Sequence, residues 1–96
     1  MAIIICYQLI TGVEIVGTIV EEAEEYVTLE NVRKIHTEID GTGLSVMLLP
    51  YATGYVDTVL DFSYDSIVTD YEPDADFITS YNKQIHGSDI ATTIGL

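Results

Sequence analysis

The stretch Thr11–Asn31, TGVEIVGTIVEEAEEYVTLEN, constrains the fold more than any other part of the chain. From Glu14 to Val20 both alternating sets of side chains are largely apolar, Ile15, Gly17 and Ile19 on one face and Val16, Thr18 and Val20 on the other. Such a strand must be covered on both faces or bend strongly. Gly17 lacks a side chain where a bend or a close backbone approach needs room. The acidic run Glu21, Glu22, Glu24 and Glu25 around Ala23 interrupts the pattern and is too short to stand alone as a helix. It reads as a solvated loop tip. The run lacks the glycine and the alternating Asp and Asn spacing of a calcium loop, so no metal is assigned to it.

Around this hairpin the chain supplies further short strands. Residues 3–10, IIICYQLI, are β-branched and aromatic in a run too short for a stable helix. Tyr26–Ile39 changes phase near Asn31, which predicts a bulge, with Arg33, Lys34, His36 and Glu38 on the outside. Asp40, Gly41, Thr42 and Gly43 form a strong hairpin signal, Leu44–Leu49 is a fourth strand closed by Pro50, and 59–71 is a fifth. From Pro73 the spacing becomes helical. Ala75, Phe77, Ile78, Tyr81 and Ile85 share one side, Asp74 and Asp76 suit a helix start, and Lys83, His86 and Gly87 suit its end. The expected architecture is mainly β: a five-stranded, strongly bent antiparallel barrel over 1–72, one C-terminal helix packed on it within 73–87, and a mobile tail over 88–96.

Composition narrows the functional classes. Sixteen Asp and Glu against three Lys and Arg give a formal net charge of −13, which disfavours nucleic acid and anionic membrane as partners and suits a basic protein. The helix's polar face lacks the cations an anionic lipid surface would attract. Cys6 is the only cysteine and lies in an apolar strand, where an inert core thiol is expected. The apolar run 2–6 is too short to span a membrane and lacks a preceding basic segment, so a cytoplasmic location is expected. His36 and His86 belong to different elements, carboxylate pairs such as Asp61 and Asp65 are commonplace in so acidic a chain, and no catalytic motif is present. Catalysis and a cofactor are not expected.

Gly12, Val13, Glu14, Ile15, Val16, Gly17, Thr18 and Ile19 fit the G-x-x-h-x-G-x-h run of a first Sm motif, and Tyr26–Asn31 resembles its closing h-x-L-x-N strand. The chain therefore resembles the Sm-like family, whose fold is an SH3-like barrel. Tyr64–Val68, followed by an acidic Pro-containing link and a helix ending SYNKQ before Gly87 and Ser88, is similar to small Sm-like proteins of tailed phages, including marine ones. In a phage protein the expected location becomes the host cytoplasm. The family's familiar helix is N-terminal, whereas the one expected here is C-terminal.

The resemblance implies a homo-oligomeric ring, of a size it does not fix, in which the fourth strand of one subunit pairs with the fifth of the next. Leu44, Val46, Leu48, Leu60, Phe62 and Ile67 are then the subunit-interface residues. It also implies a base-binding pocket, but an acidic turn and Tyr26 stand where RNA-binding members carry an Asp and Asn, and Ser63 and Tyr64 stand at the Arg-Gly position. Tyr26, Ser63, Tyr64, Arg33 and Lys34 are the candidate RNA contacts. The expected role is a non-enzymatic scaffold or protein-interaction ring, with an RNA-binding ring as the alternative.

Overall fold

The computed structural model describes residues 2–52, 54, 59–86 and 92–95. Seven strands and one helix follow in chain order: β1 (Ile4–Leu9), β2 (Glu14–Glu22), β3 (Tyr26–Asp40), β4 (Gly43–Pro50), β5 (Leu60–Ser63), β6 (Ile67–Tyr71), α1 (Ala75–His86) and β7 (Thr92–Gly95). All pairings are antiparallel, in the order β6-β1-β2-β3-β4-β7, and β5 also pairs with β3. β4 and β5 therefore share one side of β3: β4 pairs with Arg33–Asp40 and β5 with Tyr26–Leu29. Among the described residues the hydrogen-bonded path does not close on itself.

The sheet is nonetheless strongly curled. Along β6-β1-β2-β3-β5 a flat sheet would hold the outer strands about 19 Å apart, four steps of about 4.8 Å. Ser63 and Ile67, however, are joined only by the 3₁₀ turn Tyr64–Ser66, and so short a segment reaches at most about 14 Å. The same turn is tied to both neighbouring hairpins, with Tyr64 N donating to Glu25 O at 3.0 Å and Ile10 N donating to Ser66 O at 2.8 Å. The single strand expected over 59–71 is thus two strands. The turn lets the chain leave the edge of β3 and rejoin at the edge of β1.

A bulge in β3 and a glycine in β2 help accommodate the curl, beside further register shifts between Ile19 and Glu21 and between Gln8 and Leu9. Between the pairs Val16↔Arg33 and Thr18↔Glu30, β3 carries one residue more than β2, and Asn31 there has φ 54°, the only positive value of a non-glycine among the described residues. This is the bulge the phase change predicts. It reverses the alternation, so that Val27, Leu29 and Val32 face inward while Arg33 and Ile35 face outward. Beside it, a Cβ on Gly17 would lie 3.1 Å from Leu29 Cβ and 3.2 Å from Leu29 Cδ1, so the glycine allows the two strands' inner faces to approach.

Apolar residues on both faces of the strands are used in two cores. Tyr7, Leu9, Ile15, Val27, Leu29, Val32 and Phe62 fill the concave side. Cys6, Val16, Val46 and Leu48 lie on the convex side under Tyr81 of α1, flanked by Ile4, Ile35, Phe77 and Ile85. The helix begins within a residue of expectation. Asp74 caps it, its Oδ1 accepting from Phe77 N at 2.9 Å, and Lys83 and His86 occupy the last turn. Of the expected tail, residues 88–91 and 96 lie outside the described residues, while Thr92–Gly95 pair with β4.

Replacing Gly17 with Val should overpack the contact with Leu29 and cost about 1–3 kcal/mol. In a domain of this size that lowers the thermal midpoint by at least about 4 °C, measurable by circular dichroism.

Candidate functional site

The expected contact residues divide into two groups. Tyr26 stands directly opposite Ser63, and Tyr64 follows at the start of the 3₁₀ turn, so these three come together at one end of the sheet. Tyr26 and Tyr64 are 36% and 38% exposed as residues. Ser63 is occupied locally: its Oγ accepts from Asp65 N at 3.2 Å and its carbonyl from Ser66 Oγ at 2.6 Å. The acidic segment borders this group. Glu21 and Glu22 belong to β2, paired with Thr28 and Val27, so the turn itself is Ala23–Glu25, closed by Ala23 N donating to Tyr26 O at 2.9 Å. Nearby, Thr28 Oγ1 donates to Asp61 Oδ1 at 2.5 Å.

Arg33 and Lys34 do not join this surface. Seven and eight residues farther along β3, they lie roughly 20 Å from Tyr26. The expectation that Arg33 is an outer, solvent-facing cation is corrected by the helix that covers it. Arg33 is 7% exposed, donating from Nε to Gln84 Oε1 at 2.8 Å and from Nη1 to Val32 O at 3.1 Å. Gln84 in turn donates from Nε2 to Leu48 O at 2.8 Å. Lys34 faces the other way and lines a shallow concavity of about 350 Å³ with Val13, His36 and Leu49. His36 Nε2 lies 3.1 Å from Glu38 Oε1 on the same strand face.

The expected interface side chains are largely used within the chain. Val46 and Leu48 are buried beneath α1, and Phe62 is buried in the inner core with Leu60 and Ile67 packed against it. Leu44 is 39% exposed. The outer edge of β4 is paired with β7 from Ser45 to Leu48, so that stretch does not offer an open edge.

Helix periodicity places Tyr81 on the packed side of α1 but does not mark Gln84, the second polar side chain that anchors it. Tyr81 donates to Asn31 O at 2.9 Å, and Thr18 Oγ1 lies 2.9 Å from the same phenol, placed to donate to it. Gln84 follows Tyr81 by three residues, a spacing that shares its helix face, and this was the available signal. Buried polar groups so satisfied fix the orientation of a helix that apolar contact alone would leave less specified.

Burial dominates the titration of the core. Cys6 is pushed up to about 11 by burial and by the nearby Glu14 carboxylate, against the lowering effect of a hydrogen bond with Tyr71. Burial, with Glu22 and Asp70 nearby, pushes Tyr7 up to about 12. Among the described residues no helix is long and apolar enough to cross a membrane. Comparison with protein-family models and with curated proteins finds no match to the chain.

Both shifts favour the protonated groups in the folded state. Their contribution is complete below pH 9 for Cys6 and below pH 10 for Tyr7, and is lost as pH rises to about 11 and about 12. Urea midpoints should fall progressively above pH 9, and Cys6→Ala should remove the earlier part of that fall.

Proposed function

We propose that the curled sheet is an Sm-like, SH3-like barrel acting without catalysis as a ring-forming scaffold or protein-interaction subunit. The observation that carries this reading is the placement of two open edges. Among the described residues β5 pairs only with β3 and β6 only with β1, and the two strands flank one 3₁₀ turn. Each therefore offers a row of backbone donors and acceptors in a different direction. Pairing β5 of one copy with β6 of the next is a heterologous contact, which closes into a ring when the rotation between subunits permits. It also removes the hazard of exposed strand edges. Val68 and Tyr71, 61% and 45% exposed on β6, give that edge apolar side chains to bury. Because β7 covers β4, the interface falls on Leu60–Ser63 and Ile67–Tyr71 rather than on Leu44–Leu49.

The end bearing Tyr26, Tyr64, Glu24 and Glu25 joins aromatic faces to negative charge, a combination suited to a basic protein segment. The second reading, an RNA-binding ring, rests on the exposed Tyr26 and Tyr64 rings, on which bases stack. Burial of Arg33 and the net charge of −13 weigh against it.

Native mass spectrometry and light scattering at micromolar concentration should give a multiple of the 10.6 kDa chain mass, and a strict monomer would overturn the ring. Filter binding to U-rich and A-rich oligonucleotides at low salt should show no retention at tens of micromolar. Salt-sensitive retention lost on replacing Tyr26 and Tyr64 with Ala would favour the second reading instead.

A further inference from the structure

The curl gathers four polar side chains on the concave side. Asp70 stands directly opposite Tyr7 in the pairing of β6 with β1, so the two share a sheet face. Tyr7 belongs to the concave core together with Val27 and Phe62. Glu22 lies opposite Val27, and Tyr64 opens the turn two residues after Phe62. Glu22 and Asp70 come from strands that are not neighbours in the sheet, yet both carboxylates, and the Tyr64 hydroxyl, lie close enough to the Tyr7 phenol to act on its charge. Glu22, Tyr64 and Asp70 are exposed, whereas Tyr7 is 3% exposed.

Tyr7 distinguishes this group from a solvated acidic face. Its ring is held in the core, and among the described residues its hydroxyl has no hydrogen-bond partner within the chain. A phenol this buried ordinarily finds one. Neither carboxylate is paired with a cation among the described residues either. Burial and the two negative neighbours hold the phenol in its protonated form, so a neutral oxygen with free lone pairs sits between two anions. A cation that donates hydrogen bonds satisfies all three. Among the described residues no three His, Cys, Asp or Glu side chains are grouped to hold a metal ion, which leaves an organic cation.

We propose that Glu22, Asp70 and Tyr7 receive the guanidinium of an arginine carried by the basic partner, with the Tyr64 ring against its face. The planar fork offers five N–H donors, enough to reach carboxylates on two separate strands and the phenol oxygen between them. An ammonium has three donors and is more strongly hydrated, so it gives up more on leaving water. Stacking of the guanidinium on an aromatic ring adds to the attraction. This site rests on the reading of a basic partner and supplies the group that partner must carry. It uses side chains of the concave face rather than the backbone edges of β5 and β6, so it does not depend on ring formation.

The probe is an acetylated and amidated Gly-Arg-Gly peptide, titrated at millimolar concentration into the full chain and followed by amide and tyrosine-ring NMR shifts. The shifts should centre on Tyr7, Glu22, Tyr64 and Asp70, and binding should weaken with added salt. Asp70→Asn should weaken it about tenfold and Tyr7→Phe about threefold. Tyr7→Phe removes a hydroxyl without a partner in the chain, so its thermal midpoint should equal or exceed that of the wild type while binding falls. Glu38→Gln, the same change of charge far along β3, should leave affinity within about twofold. Gly-Lys-Gly should bind more weakly than Gly-Arg-Gly, and equal binding would overturn the choice of guanidinium. Affinity unchanged in both Tyr7→Phe and Asp70→Asn but lost in Glu24→Gln with Glu25→Gln would overturn this site while keeping a basic partner on the acidic turn. Binding of neither peptide would overturn both. Should Tyr7→Phe fail to fold, Asp70→Asn and Glu22→Gln decide.

Discussion

The hydrogen bond from Tyr81 to the carbonyl of Asn31 joins the two features on which the rest of the structure depends. Asn31 holds the left-handed conformation that gives β3 its extra residue, and that residue exchanges the strand's inner and outer faces partway along its length. Without the exchange, Val32 would turn away from the core that Val27 and Leu29 begin. With it, one continuous strand lines the concave core at its start and supports the helix farther along. Tyr81 secures the point of exchange from the convex side, and Thr18 secures the phenol.

Covering the convex face has an electrostatic consequence. The chain has three Lys and Arg residues, and α1 withdraws Arg33 from solvent through Gln84. Lys34 is directed to the opposite side of the same strand, away from the tyrosines. The end carrying Tyr26, Tyr64 and the acidic turn is therefore without a nearby strand cation among the described residues. Such a surface presents aromatic rings amid carboxylates, the combination on which the proposal of a basic partner rests. The small core is offset by double use of the sheet, whose strands bury side chains on both faces. A sheet of this size with one solvated face would bury far less apolar surface.

Local patterns in the sequence carry much of this architecture. The doubly apolar strand around Gly17, the phase change at Asn31, the Asp40–Gly43 turn and the helix from Asp74 all follow from side-chain period and turn chemistry. Division of the fifth strand by Tyr64–Ser66 does not, because Tyr64 and Ile67 keep strand-like composition through the break. What forces the turn is the return path from the edge of β3 to that of β1, a tertiary constraint. Burial of Arg33 has the same origin, since its partner Gln84 lies on the helix, far along the chain. The pairing of Tyr26 with Ser63 required the register of β3 with β5, which the length of the intervening loop obscures.

The central claim is that a left-handed residue at position 31 sets the curvature on which both cores depend. Equilibrium urea unfolding of Asn31→Gly and Asn31→Val tests it most directly. Glycine adopts this conformation without steric cost, whereas a β-branched residue resists it by about 1–2 kcal/mol or more. Asn31→Gly should stay within about 0.5 kcal/mol of the wild type and Asn31→Val should lose about 2 kcal/mol. Equal stability of the two variants would contradict the account.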